Sequence, residues 1–305
     1  MKILLAKPRG FCAGVDRAIE TVEKALTLWG PPIYVKHHIV HNLHVVRRLE
    51  KLGAIFIEDL TQVPEGERII YSAHGVSPSV RVEAKKRNLI EIDATCGLVT
   101  RVHSAAKRFA DKGYQIILIG HRNHVEVIGT SGEAPDATTI VECVEDVLEL
   151  PFSKEDKLFY LTQTTLSLDD VKGITTALID RYPQIETLPT SSICYATTNR
   201  QLALKEITDR VDLVLVVGDP SSSNSNRLKE TAANRHIPSY LINSEKEIQD
   251  QWLENVNTIG MTAGASTPEE IVQACIAYLY TKGAITTEEI VYTEEDVLFQ
   301  LPKMV

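Results

Sequence analysis

"ATCGLVTRVHSAAKRFADKGYQIILIGHRNHVEV", residues 94–127, holds one complete structural unit. A cysteine, Cys96, closes a short extended segment, and an amphipathic run with apolar residues at helical spacing follows it. "IILI" then reads as a strand, which stops abruptly in the polar cluster "HRNHVE". The same order occurs twice more. "GFCAGVDRAIETVEKAL" (10–26) leads to "PIYVKHHIVHN" (32–42), and "SICYATTNRQLALKEITDRVD" (192–212) leads into "VDLVLVVGDPSSSNSN" (211–226). Counted from each repeat's own cysteine, His41 lies at +29, His124 at +28 and Ser222 at +28. At the fifth position after the cysteines stand Arg17, Arg101 and Asn199.

Each repeat continues with a second strand that also ends in polar residues: "RIIYSAHGVSPSV" (68–80), "KLFYLTQTTLSLDD" (157–170) and "NTIGMTAGASTPEEI" (257–271). Helix starts are predicted at Ser77 before Pro78, at Ser167 with Asp170 three residues on, and at Thr267 before Pro268 with Glu270 three residues on. Strands alternating with helices imply parallel sheets with right-handed crossovers, whose ligands bind beyond the carboxyl ends of the strands. The expected fold class is α/β, with three similar lobes of mainly parallel sheet in pseudo-threefold arrangement around one central site. The lobes span 13–95, 96–193 and 194–283. The third is completed by the N-terminal strand within 1–12 ("KILLA") and the C-terminal segment 284–305, in which "VLFQLP" reads as a strand.

The 305 residues are 44% hydrophobic and 24% charged, an ordinary globular composition. A formal net charge of −9 excludes broad nucleic-acid or anionic-membrane binding, which use clustered basic surface. No apolar run approaches the roughly 20 residues that cross a bilayer, and "MKILLAKPRGFCAG" lacks a signal-peptide pattern. A cytoplasmic protein is expected. Five scattered cysteines form no disulfide framework. Cys143 and Cys275 read as small core residues. Cys12, Cys96 and Cys194 differ, because all three stand at strand-to-helix junctions, where backbone amides and the helix dipole favour an anionic sulfur.

Three converging thiolates without a fourth point to a metal centre with one open position. An iron-sulfur cluster and a zinc site completed by histidine both fit. His41, His74 and His124 at matched loop positions, with Ser222, Ser223 and Asn224 of "SSSNSN" and Ser266, make an anion cradle for a phosphate or diphosphate. His44 and His103 read as surface or packing histidines. Glu126, two residues from His124 and on the same side of an extended segment, would have a raised pKa in a desolvated pocket and suits a proton donor; a plain surface glutamate is the alternative.

"RGFCAGVDRAI", "HGVSPSVR", "DATCGLV", "LTQTTLS", "ICYATTNRQ", "SSNSNRL" and "TAGAS", in this order across essentially the whole chain, closely resemble the 4-hydroxy-3-methylbut-2-enyl diphosphate reductase, or LytB, family. The resemblance implies an oxidoreductase of the last step of non-mevalonate isoprenoid biosynthesis, yielding isopentenyl and dimethylallyl diphosphate. It implies a [4Fe-4S] cluster at the centre of the lobes on Cys12, Cys96 and Cys194, with one iron lacking a protein ligand. It implies that His41, His74, His124, Ser222, Ser223, Asn224 and Ser266 bind the diphosphate, that Glu126 and Thr164 serve the hydroxyl end, and that a ferredoxin or flavodoxin supplies electrons. Two positions depart from the family pattern: Gly97 and Val125 stand where proline is common. A cluster-based sensor or a phosphate-ligand binding protein using the same residues without turnover is the rival reading.

Overall fold

The computed structural model describes residues 1–304. The chain opens with β1 (Lys2–Lys7) and α1 (Ala13–Trp29), then runs through β2 (Ile33–Lys36), α2 (Leu43–Leu52), β3 (Ala54–Ile57), β4 (Arg68–Tyr71), α3 (Pro78–Lys86) and β5 (Ile90–Asp93). Next come α4 (Gly97–Ala110), β6 (Gln115–Ile119), α5 (Val125–Ser131), β7 (Thr138–Val141), α6 (Val144–Leu148), β8 (Leu158–Thr162), α7 (Leu168–Arg181) and β9 (Glu186–Thr187). The final third holds α8 (Tyr195–Thr208), β10 (Leu213–Val217), α9 (Ser223–Ala233), β11 (Ser239–Ile242), β12 (Thr258–Ala263), α10 (Glu269–Thr281) and β13 (Thr286–Val291).

The strands form three sheets, ordered β3-β2-β4-β5, β7-β6-β8-β9 and β11-β10-β12-β1-β13, in which every paired strand is parallel. These are the three α/β lobes that the repeat predicts. Parallel strands covered by helices on both faces read as unbroken apolar runs rather than alternating ones. In β6, Ile117 and Ile119 pack in one core cluster with Val141 and Leu178, while Ile116 and Leu118 pack on the other face with Phe159 and Val102. In β10, Leu213, Leu215 and Val217 face Val272 and Leu279, and Val214 and Val216 face Leu204 and Leu228. Each such side chain adds roughly 1.5–3 kcal/mol of burial free energy.

The chain divides into two compact units. One comprises Met1–Val15, His41–Val45 and Tyr195–Leu298 and carries the five-stranded sheet; the other comprises Asp16–Val40, Val46–Cys194 and the tail from Phe299, and carries both four-stranded sheets.

β1 joins the five-stranded sheet between β12 and β13. "VLFQLP" is not a strand: no regular element covers residues 293–304. The edge strand is instead "TTEEIV", whose glutamates hide it from a hydrophobic reading. It is held by the backbone ladder to β1 and by Lys2 and Lys7 pairing with Glu288 and Glu289, and charge on an edge strand also blunts aberrant pairing. Ser167 caps α7 as predicted, accepting from Asp170 N–H at 3.3 Å. Helix α10 begins one turn position later than expected, with Pro268 at its cap, because the Thr267 hydroxyl instead donates to Val217 O at 3.1 Å.

Candidate active site

The candidate cluster cysteines, the cradle residues, Glu126 and Thr164 all lie past the carboxyl end of a parallel strand, where doubly wound sheets bind ligands. Cys12 follows β1, His41 β2, His74 β4, Cys96 β5, His124 and Glu126 β6, Thr164 β8, Cys194 β9, Ser222 to Asn224 β10 and Ser266 β12. The three cysteines share one backbone frame. Cys12 N–H donates to Ala265 O at 3.3 Å, Cys96 N–H to Ala73 O at 3.0 Å, and Cys194 N–H to Thr164 O at 3.0 Å. Each acceptor follows the strand that pairs with the cysteine's own: β12 beside β1, β4 beside β5, β8 beside β9. A helix begins at the very next residue in each case, at Ala13, Gly97 and Tyr195. The repeat in the sequence is thus a repeat in hydrogen bonding.

All three cysteines are half-buried. Cys275 is fully buried in the core, as expected, and burial pushes its thiol up to about 12. Cys143 is exposed, which corrects the reading of it as a core residue: it is the residue before the short α6, just past the edge strand β7. Among the described residues no group of three or more His, Cys, Asp or Glu side chains is arranged to hold a single metal ion. Thiolates around a four-iron cluster stand at separate corners and need no such arrangement. Three soft sulfur donors in equivalent frames suit that group.

The first unit holds the His41, Ser222 to Asn224 and Ser266 loops expected to form an anion cradle. Ser222 caps α9 by accepting from Ser225 N–H at 3.3 Å, and Ser222, Ser223 and Asn224 are buried along the first turn. Asn224 Oδ1 accepts from Ala265 N–H at 2.9 Å, and its Nδ2 reaches Thr197 Oγ1 at 3.4 Å, so the residue before Ser266 is tied both to Asn224 and to Cys12. The Ser266 hydroxyl donates to His41 O at 2.9 Å. Asp219, which the sequence reading missed, accepts from Ser221 N–H at 2.9 Å, Ser221 Oγ at 2.6 Å and Leu43 N–H at 3.0 Å. Burial works to raise its pKa, but these donors and the nearby His41 outweigh it and hold the carboxyl below the usual range. It fixes the His41 loop to the serine loop. Its signal was the Asp-Pro turn opening "DPSSSNSN".

In the second unit Glu126 is 2% exposed. Thr164 N–H donates to its Oε1 at 2.6 Å and Thr164 Oγ1 to its Oε2 at 2.9 Å. Desolvation raises the Glu126 pKa, and the two Thr164 donors and the His103 charge only partly oppose it. The segment is not extended as expected: His124 is the N-cap of α5, its Nδ1 accepting from Glu126 N–H at 3.2 Å. That bond leaves the neutral ring's proton on Nε2. The His74 ring stands edge-on to His124, centroids 6.1 Å apart, with its Nδ1 3.2 Å from Ser72 Oγ. His103 is a packing histidine, paired with Glu133 at 2.9 Å and fitted against Gly75 and Gly129. Gly97 and Val125 are both the first residues of helices, the position whose amide lacks an intrahelical acceptor, so proline and non-proline serve equally there.

The LytB protein family model matches residues 3–280. The chain belongs to the LytB family. It is 74% identical over 303 residues to the 4-hydroxy-3-methylbut-2-enyl diphosphate reductase of Protochlamydia amoebophila, covering 99% of this chain and 97% of that protein. It is 62% identical to the enzyme of the same name from Chlamydia pneumoniae, covering 99% and 98%. Among solved structures, this LytB chain matches the E-1-hydroxy-2-methyl-but-2-enyl-4-diphosphate reductase of Plasmodium falciparum with a TM-score of 0.97 at 52% identity, covering 99% of this chain and 95% of that one.

Proposed function

We propose that this LytB chain reduces 4-hydroxy-3-methylbut-2-enyl diphosphate to isopentenyl and dimethylallyl diphosphate. One observation carries the reading from site to chemistry. Thr164 receives the Cys194 N–H on its carbonyl and gives both its own N–H and its hydroxyl to the buried Glu126. A carboxyl with a raised pKa therefore sits one residue away from a candidate metal ligand, which is where a proton is needed if a hydroxyl departs beside the metal. The names of the relatives supply the substrate.

In this reading the diphosphate is held by His41, Ser222, Ser223, Asn224 and Ser266, assisted by the amides of the first turn of α9, and by His74 and His124. When bound to Cys12, Cys96 and Cys194, a [4Fe-4S] cluster supplies two electrons one at a time and an iron without a protein ligand that acts as a Lewis acid. Thr164 N–H holds Glu126 Oε1 as an acceptor, so the acidic proton resides on Oε2. With Oε2 protonated the bond between Oε2 and Thr164 Oγ1 runs the other way: Oγ1 accepts the Glu126 proton and turns its own hydrogen to the departing oxygen, so that one proton is relayed from Glu126 through Thr164. In balance, the allylic C–O bond breaks, two electrons and two protons enter, and water leaves. The electrons come from a separate ferredoxin or flavodoxin, since the chain has no dinucleotide fingerprint. A cytoplasmic location belongs to the same proposal; no helix among the described residues is long and apolar enough to cross a membrane.

Protein reconstituted without oxygen is expected to contain iron and sulfide and to consume a one-electron reductant only when the allylic diphosphate is present. Cluster without substrate-dependent consumption would instead identify a sensor. The cradle has its own test. A Cβ at Gly264 would collide with the Ser225 hydroxyl behind the first turn of α9. Gly264→Ala is expected to weaken calorimetric binding of inorganic pyrophosphate about tenfold and to destabilise the fold by about 1–3 kcal/mol. Unchanged binding would remove the α9 turn from the cradle.

A further inference from the structure

The polar residues that follow the cysteines in each repeat have no part in the chemistry above, yet their contacts repeat. Arg17, five residues after Cys12, donates from Nη1 to Thr95 O at 3.0 Å and from Nη2 to Asp93 O at 3.3 Å, the carbonyls just before Cys96. Arg101, five residues after Cys96, donates from Nη2 to Thr190 O at 2.9 Å and to the Thr190 hydroxyl, on the chain leading to Cys194. After Cys194 the pattern moves by one residue. Arg200 donates from Nε and Nη2 to Gly10 O at 3.1 and 2.8 Å and from Nη2 to Phe11 O at 3.2 Å, the carbonyls just before Cys12. Asn199, at the fifth position, supports it by donating to Glu295 Oε1 at 3.0 Å, the carboxylate that also receives Arg200 Nη1 at 3.1 Å. The relation runs in one direction: the helix after each cysteine serves the chain before the next, and the third returns to the first.

A guanidinium is suited to this task. Its five donors lie in a rigid plane, so one side chain can fix neighbouring carbonyls at once, which a lysine cannot do. Carbonyls in a loop entering a helix have no ladder partner and need such donors. Arg200 is 1% exposed, and burying that charge is justified only where geometry is specified, because apolar packing would otherwise stabilise at least as well.

We propose that Arg17, Arg101 and Arg200 are positioning residues, each holding the loop of the next cysteine in the conformation that cluster ligation requires. This rests on the cluster reading. Arg17→Gln and Arg101→Gln remove the half-buried guanidinium groups, and Arg17→Lys and Arg101→Lys keep charge without the fork. Anaerobically reconstituted proteins would be challenged with an iron chelator, with melting of each apo chain and the paramagnetic resonance spectrum of the reduced cluster recorded in parallel. Each Gln variant is expected to release iron on the order of tenfold faster than wild type, the scale of one charge-assisted bond, with altered resonance and an apo melting point close to wild type. The Lys variants should recover little of the loss. Release at the wild-type rate with an unchanged spectrum would overturn the proposal, as would release that quickens only as far as the apo melting point falls. A wild-type chain that takes up no iron and sulfide would instead bring down the cluster reading itself.

Discussion

Glu126→Gln is expected to lower turnover by about two to four orders of magnitude, the range that a positioned proton donor contributes, while iron, sulfide and substrate affinity stay near wild type. The substitution is close to isosteric. Its carbonyl can still accept from Thr164 N–H, now 2.6 Å from Oε1, and its amide can still bond the Thr164 hydroxyl, now 2.9 Å from Oε2. Only the acidic proton is lost. Because desolvation raises the Glu126 pKa, the wild-type enzyme should lose turnover as pH rises through that value, and the residual activity of the variant should lack this limb. Stability falls in the same direction. A carboxyl whose folded pKa exceeds its unfolded one contributes stability that is full below the unfolded pKa and disappears as pH rises through the folded pKa. Above it the wild type must bury a carboxylate, so the Gln variant should melt higher than wild type in alkaline buffer and lose that advantage in acid. Near-normal turnover in the variant would end the proton-donor role.

The parts of this molecule legible in its sequence are those governed by period. Apolar runs such as "IILI" and "LVLVV" can be nothing but doubly covered strands once helices alternate with them, and the polar residues after them then fall at the ligand-binding edge. Cys12, Cys96 and Cys194 emerged from spacing, and the structure gives each the same backbone donor bond. Periodicity is silent where a side chain earns its place through a partner far along the chain. Arg200 contacts Gly10, and Asp219 contacts Leu43; no local pattern announces either pair. The edge strand β13 was hidden because it buries almost nothing, its pairing resting on backbone bonds and lysine partners. Glu126 was placed in an extended segment because "HRNHVEV" is too short to show a helical period, although His124 supplies the cap that starts one. For Arg200, Asp219 and β13 the missing information is tertiary; for Glu126 it is a local cap.

Cys96→Ser should empty most of the iron and sulfide from the protein and reduce turnover at least about a hundredfold, beyond the usual tenfold to hundredfold effect of changing a residue that merely supports a metal ligand. A serine hydroxyl is a hard, weakly acidic donor and a poor substitute for thiolate toward iron. The fold itself should persist, because the bond from Cys96 N–H to Ala73 O at 3.0 Å belongs to the backbone and survives the substitution. Two internal controls separate ligation from general damage. Cys143→Ser alters an exposed side chain and should change neither iron content nor stability. Cys275→Ser buries a hydroxyl in an apolar core, costing about 1–3 kcal/mol in stability with iron content unchanged. Cys12→Ser and Cys194→Ser should instead behave like Cys96→Ser, since their frames are the same. If Cys143→Ser or Cys275→Ser lost iron as fully as Cys96→Ser, or if one of the three kept its cluster while the others did not, shared ligation by the repeat cysteines would be wrong, and the matching backbone bonds would reflect only a common fold.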